Sequence, residues 1–110
     1  IRDRIISFYK YKKNRKLIIC EIKKKVAGFI LVKEHSKHVR IEQIITNPSF
    51  IRKSVGSSLI SYINNFYLGK RKYLKAGTQF NNEEAIKFYK KNKFYKEEEL
   101  FYHHIYSNKV

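Results

Sequence analysis

The stretch FIRKSVGSSLI, residues 50–60, decides the fold because it marks the change from strands to a helix. Before it, apolar residues fall in short runs that are typical of strands. After it, apolar residues recur at intervals of three and four, which predicts a helix with one buried face. That face consists of Val55, Leu59, Tyr62, Ile63, Phe66 and Tyr67.

The start of this helix carries small residues beside a basic pair. Ser54 can be a plain helix cap. Alternatively, Ser54, Gly56 and the serines that follow can leave room for an anion, because the first N–H groups of a helix have no partner within it and carry partial positive charge. Arg52 and Lys53 would then add charge at the mouth of the site. Both interpretations stay open on this stretch alone.

Three strands are expected before the helix, and a strand, a helix and a strand after it. The strands before it are predicted at 17–22, 26–32 and 38–46, and Gly28 indicates a bulge or a close backbone approach. The later elements are a strand at 73–80, a helix whose capping residue comes from Asn81-Asn82, and a long aromatic strand at 94–106. Residues 1–14 favour the tail of an amphipathic helix.

This order predicts the fold class. A helix that crosses over between two strands requires a parallel pair, so the sheet is expected to be mixed and mostly antiparallel. We therefore expect an α+β domain, with a twisted sheet flanked by helices, over residues 1–110 as a single domain.

The amino-acid composition limits the classes of ligand and the cellular compartment that we expect for the protein. The formal net charge is +16, from 25 Lys and Arg against nine Asp and Glu, which favours anionic ligands unless base composition alone has inflated the lysine content. Cys20 is the single cysteine, so an internal disulfide is excluded, and its apolar setting predicts a small buried residue. Apolar runs are too short to span a membrane, and no signal peptide is visible, which favours a cytoplasmic protein.

A second pattern follows the strand at 73–80. Asn82, Ala85 and Tyr89 are spaced along a helix, and Lys93 and Phe94 come four and five residues after the tyrosine. Together with Thr46-Asn47-Pro48 and the loop 51–56, this pattern resembles the GNAT superfamily of acetyl-CoA-dependent acyltransferases, over roughly residues 16–106. The departures are Ile51 in place of Gln or Arg, and Ser54 and Lys93 in place of glycines.

The resemblance implies a binding site for acetyl-CoA as co-substrate. The helix start would hold the pyrophosphate, the strand end would bind the pantetheine arm beside a bulge, and the second helix would contact the CoA chain. The implied cofactor-binding residues are Ile44, Ile45, Thr46, Arg52, Lys53, Ser54, Val55, Gly56, Ser57, Ser58, Asn82, Ala85 and Tyr89.

The resemblance also implies a direct attack by a primary amine on the thioester. Tyr89 would protonate the departing thiolate, and a base must take the proton of the amine. Glu42 is the candidate base, because alternation along the strand puts it on the face of Ile44 and Thr46. Some family members have a glutamate two residues earlier, where this chain has Arg40. The four histidines are substitutes for Glu42, and their spacing does not indicate a metal site.

The function expected from this resemblance is N-acetyl transfer to a small molecule, an amino sugar or a peptide. Two alternatives remain: a degenerate domain that binds CoA or a protein without catalysis, and a basic nucleic-acid-binding module, against which the absence of a recognised motif argues. A homodimer is left open. About 15 residues precede the first predicted strand, where family members usually have a strand and two helices, so an N-terminally incomplete domain is expected.

Overall fold

The part of the chain that the structure describes forms one seven-stranded sheet with two α-helices. The computed structural model describes residues 4–77 and 82–105. The strands are β1 (Arg4–Lys12), β2 (Arg15–Ile22), β3 (Lys25–Glu34), β4 (His38–Thr46), β5 (Tyr73–Gly77), β6 (Tyr95–Glu97) and β7 (Leu100–His104). The helices are α1 (Val55–Tyr67) and α2 (Glu83–Lys91), and a short 3-10 helix spans Pro48–Phe50.

The sheet is mixed, as predicted. Its strand order is β1-β2-β3-β4-β5-β7-β6. β4 and β5 are parallel because α1 crosses over between them, and the other neighbours are antiparallel. The α+β class and the predicted positions of both helices are confirmed.

Two predictions about the strands were wrong. The segment expected to be the tail of a helix is β1, whose Ile6 and Phe8 alternate onto the core while its backbone pairs with β2. The long strand expected at 94–106 is interrupted by a turn at Glu98 and becomes the antiparallel hairpin of β6 and β7. The ends of the predicted segments at 78–80 and at 106 lie outside the described residues.

Both helices lie on the same face of the sheet. That face carries the core, in which β2 contributes Ile18, Cys20 and Ile22, and α1 contributes Leu59 and Ile63. Burial also raises the pKa of the Cys20 thiol, which fits the expected role of a small core residue. The opposite face carries no described helix, and we call it the open face. Neither described helix has the length and apolar character needed to cross a bilayer.

Gly28 joins the sheet to the start of α1. A Cβ atom at this position would lie 2.5 Å from the backbone oxygen of Ile45 and 2.8 Å from a side-chain carbon of Val55. The expected close backbone approach is therefore present, and β4 and the first turn of α1 pack directly against β3.

Candidate functional site

β4 and β5 separate part-way along their length. Among the described residues they pair only from His38↔Tyr73 to Ile41↔Ala76, although β4 continues to Thr46. On its other side, β4 skips one residue against β3, since Ile41 pairs with Val32 but Gln43 pairs with Leu31. Glu42 is therefore the extra residue of a β-bulge, and the bulge lies where the two parallel strands part.

A cavity of about 240 Å³ lies where β4 leaves β5. Its lining comes from β4, the first turn of α1 and the first two turns of α2: Ile44, Thr46, Gly56, Asn82, Glu84, Ala85, Phe88 and Tyr89. Six of these eight residues were singled out from the sequence, and the structure brings them together although they come from three separate segments.

The first turn of α1 faces this cavity through Gly56. A Cβ atom there would lie 2.7 Å from the Phe88 ring, so the absence of a side chain lets α1 and α2 approach each other closely. Within the described part of the chain, Ser54 makes no side-chain capping hydrogen bond, although its carbonyl accepts from Ser58 N at 3.0 Å. The interpretation of Ser54 as a plain side-chain cap is therefore wrong. Arg52 and Lys53 are both exposed just before the helix.

Arg4 contacts this loop, and the sequence did not predict that contact. Its guanidinium donates to Ser58 Oγ and to the carbonyl oxygen of Lys53. β1 therefore ties down the loop and the first turn of α1 from the other side of the helix. The signal in the sequence is an Arg at the start of a strand, which becomes informative only once the pairing of β1 with β2 is known.

The start of α2 is fixed by Asn82. Its Oδ1 accepts a hydrogen bond from Ala85 N at 3.1 Å, while Glu83 and Glu84 occupy the first turn, where the helix dipole favours acidic side chains. Asn82 thus caps the helix and lines the cavity. The segment 78–81 that precedes it lies outside the described residues.

Tyr89 lies at the inner end of the cavity. Its side chain is 5% exposed and packs against Phe94 and Phe101, with ring centroids 5.1 and 5.4 Å away. Burial raises the pKa of Tyr89, so its hydroxyl stays protonated at neutral pH. Such a group can donate a proton to a departing anion.

Glu42 is held by Arg15 of β2. Arg15 Nε donates to Oε1 at 2.7 Å and Nη2 donates to Oε2 at 3.2 Å. The hydrogen bonds from Arg15 lower the pKa of Glu42. Because the bulge interrupts alternation, the expectation that Glu42 shares a face with Ile44 and Thr46 was wrong.

The two faces can be assigned from neighbouring residues. Arg15 alternates with the buried Lys16 and Ile18 of β2, so the ion pair with Glu42 lies on the open face. The cavity with Ile44 and Thr46 lies on the helix face. Glu42 and Tyr89 consequently flank the parting of the strands from opposite sides of the sheet.

Several other predicted residues lie outside the cavity lining. Ile45 is 48% exposed and pairs with Phe29 of β3, whereas Val55 is buried against Gly28. Ser57 and Ser58 are half-buried in the first turn of α1. Phe88 and Glu84 line the cavity without having been predicted, and the helical spacing of Phe88 from Ala85 was the available signal.

Comparisons with known proteins agree with this arrangement. The family model described as "Acetyltransferase (GNAT) family" matches residues 2–94. The chain belongs to the GNAT acetyltransferase family. None of the curated proteins compared with the chain matches it significantly.

Solved structures of GNAT proteins share the fold. A proposed streptothricin acetyltransferase from Bacillus anthracis, in complex with acetyl-CoA, is 25% identical with a TM-score of 0.78, covering 87% of this chain and 65% of its own. A GNAT acetyltransferase from Elizabethkingia anophelis with acetyl-CoA bound is 12% identical with a TM-score of 0.78, covering 93% of this chain and 98% of its own. The ribosomal-protein-S18-alanine N-acetyltransferase of Escherichia coli is 13% identical with a TM-score of 0.78, covering 91% and 76%.

The two residues that replace family glycines both have left-handed backbones. Ser54 has φ 56° and Lys93 has φ 69°. Lys93 follows α2 in a Schellman motif, in which Lys93 N donates to Lys90 O at 3.0 Å and Phe94 N to Tyr89 O at 2.9 Å. Both residues therefore have a backbone conformation that glycine adopts without the steric cost of a side chain.

We expect Ser54→Gly and Lys93→Gly each to stabilise the protein. The left-handed conformation costs a non-glycine residue about 1–2 kcal/mol, of which the greater unfolded-state freedom of glycine offsets about 0.5–1 kcal/mol. Each variant should raise the free energy of unfolding by roughly 0.5–1 kcal/mol in urea denaturation. Ser61→Gly, in the right-handed interior of α1, is the control and should lower it. Equal losses for all three variants would contradict the assigned strain.

Proposed function

We propose that this chain is an N-acetyltransferase that moves an acetyl group from acetyl-CoA to a primary amine. The observation that carries the proposal is the cavity at the parting of β4 and β5, between the start of α1 and the start of α2. It combines the end of a strand, a helix N-terminus and a buried tyrosine. We expect these to bind a pantetheine chain, a pyrophosphate and a thioester, in that order. The acetyl-CoA complexes among structures of the same fold support this choice.

In this proposal the first turn of α1 binds the pyrophosphate. The backbone N–H groups of residues 55–57 point out of the helix start, and Arg52 and Lys53 supply charge beside them. Arg4 holds the loop through Lys53 and Ser58. The CoA site is thus expected to need a preorganised loop as well as positive charge.

The strand edge and α2 hold the rest of the cofactor. Backbone groups of residues 44–46 are proposed to pair with the pantetheine arm as a further strand would. Asn82 and Ala85 line the other side of this channel. The thioester then lies near Tyr89, at the end of the cavity farthest along α2 from Asn82.

The chemical step forms a C–N bond and breaks a C–S bond. The neutral amine attacks the thioester carbon, and collapse of the tetrahedral intermediate expels the CoA thiolate. Tyr89 donates the proton that the thiolate takes up, and Glu42 accepts the proton of the amine through water. Because Arg15 lowers the pKa of Glu42, this carboxylate is ionised at neutral pH but is a weak base.

The ion pair between Arg15 and Glu42 favours a second candidate function. If the carboxylate stays bound to the guanidinium, the domain binds acetyl-CoA without transferring the acetyl group. The two functions differ in turnover and not in cofactor binding.

Calorimetric titration with acetyl-CoA tests the cofactor site. We expect a micromolar dissociation constant that survives moderate salt, because backbone contacts and pantetheine pairing contribute alongside charge. The double variant Arg52→Glu, Lys53→Glu should bind more weakly. Lys10→Glu, Lys12→Glu, on the edge strand β1, changes the net charge by the same amount and is the control for net charge alone.

Salt-sensitive binding of a generic oligonucleotide, without any binding of acetyl-CoA, would refute the enzyme proposal and favour a nucleic-acid-binding module.

Tyr89→Phe separates the acid role from cofactor binding. We expect kcat to fall by about 10²-fold or more, as is typical for loss of a general acid, while the acetyl-CoA dissociation constant stays nearly unchanged. Tyr67→Phe is the matched control, since it also removes the hydroxyl of a buried tyrosine. That hydroxyl lies outside the cavity lining and donates a 2.7 Å hydrogen bond to Glu34 Oε2. Unchanged turnover in Tyr89→Phe would remove Tyr89 from the proton transfer.

A further inference from the structure

A row of basic side chains crosses the open face of the sheet. Register pairs Arg15 with Lys33, Lys33 with Arg40, and Arg40 with Lys75, so that four cations occupy adjacent positions on four neighbouring strands. All four are half-buried. We call these residues the cation row. It lies on the opposite face from the acetyl-CoA cavity and is not needed to explain that cavity.

The cation row is electrostatically unfavourable in the protein by itself. Like charges directly opposite each other on neighbouring strands destabilise a sheet. Among the ion pairs of the described residues, only Arg15 of the row has a carboxylate partner, Glu42. Lys75 lies over the ring of Tyr102 at 6.0 Å from its centroid, a contact that does not neutralise its charge. Glu42 also attracts Lys33 and Arg40 electrostatically, but neither lies within ion-pair distance of a carboxylate among the described residues. Because one carboxylate faces four cations, the row keeps a net positive field.

The cation row lies next to the parting of β4 and β5. Arg40 and Lys75 form the pair just before the last paired residues, Ile41 and Ala76. The Arg40 guanidinium also covers Gly77, the last residue of β5, since its Nη2 lies 3.0 Å from the position of a Cβ atom there. Arg40 and Lys75 thus lie at the opening through which an acceptor on the open face would reach the thioester.

Aromatic rings border the cation row on one side. His38 stacks on Tyr73 with ring centroids 5.2 Å apart, and Tyr73 contacts Tyr102 at 5.7 Å. These rings form a wall of modest polarity beside the cations. A small ligand with a short carbon skeleton and an anionic end fits this combination of charge and wall.

We propose that the amine acceptor carries an anionic group, a phosphate or a carboxylate, which Arg40, Lys75 and Lys33 bind at the mouth of the strand parting. The inference rests on the proposed acetyl transfer for the role of the bound molecule, but not for its binding. Arg40 can donate two parallel hydrogen bonds to either group, and the lysines add charge on both sides. The amine end then points towards the parting.

Binding of matched amines to the wild-type chain, without acetyl-CoA, tests the inference directly. The probes are aminohexyl phosphate, aminohexanoate and uncharged aminohexanol, measured calorimetrically at fixed salt. We expect the anionic probes to bind at least about tenfold more tightly than aminohexanol, as charged hydrogen bonds commonly contribute. The ratio between the phosphate and the carboxylate probe identifies which anion the acceptor carries.

Arg40→Gln should abolish that preference, because it removes both parallel hydrogen bonds to the anion, and Lys75→Gln should reduce it. Both remove a like charge from the row, so thermal unfolding is expected to show no loss of stability, and the acetyl-CoA affinity should stay the same. Lys10→Gln, a lysine on the edge strand β1 outside the row, is the matched control and should keep the preference.

Equal binding of all three probes to the wild type, or an unchanged preference in Arg40→Gln, would overturn the inference. So would Arg40-dependent binding of an oligonucleotide with no binding of aminohexyl phosphate. Failure of the proposed function gives a different result, namely no acetyl-CoA binding and no acetylation of any probe, while the probe preference and its loss in Arg40→Gln persist.

Discussion

Among the described residues, β4 pairs in parallel with β5 as far as Ile41, and the extra residue Glu42 follows directly. The rest of the site depends on this bulge. Beyond the bulge, Ile44 and Thr46 line a cavity that α1 and α2 close from the helix face.

The bulge also determines which side chains meet. It shifts alternation by one residue, so that Ile41 and Ile44 are on the same face although they are three residues apart. Glu42 is directed to Arg15 on the open face, close to the cation row. The proposed cofactor cavity and the proposed acceptor surface therefore lie on opposite faces of the sheet and meet next to the bulge. Direct transfer requires such a meeting point.

Local patterns in the sequence predicted most of the fold and much of the cavity. The helix face from Val55 and the spacing of Asn82, Ala85 and Tyr89 depend on contacts within one element, and the structure has both helices where they were expected. Predictions failed where contacts between segments that are distant in sequence determine the local structure. Arg4 belongs to a strand because β2 supplies its partner, and its contact with Lys53 is 49 residues away in sequence.

The direction of Glu42 could not be predicted for a related reason. A bulge is a mismatch between two strands, and nothing in HVRIEQIIT by itself identifies which residue is extra. The turn at Glu98, which divides the last predicted strand, likewise has a non-glycine residue in a left-handed conformation. Neither feature has the glycine or proline that usually signals it.

The backbone amide signals of residues 55–58 test the central claim most directly. Acetyl-CoA should be titrated into isotope-labelled protein, and the amide shifts followed by residue. If the pyrophosphate binds the start of α1, Gly56 and Ser57 should shift most, together with Thr46 on the strand edge, while Lys33 and Lys75 on the open face shift little. Shifts confined to the open face, with the first turn of α1 unchanged, would contradict the account.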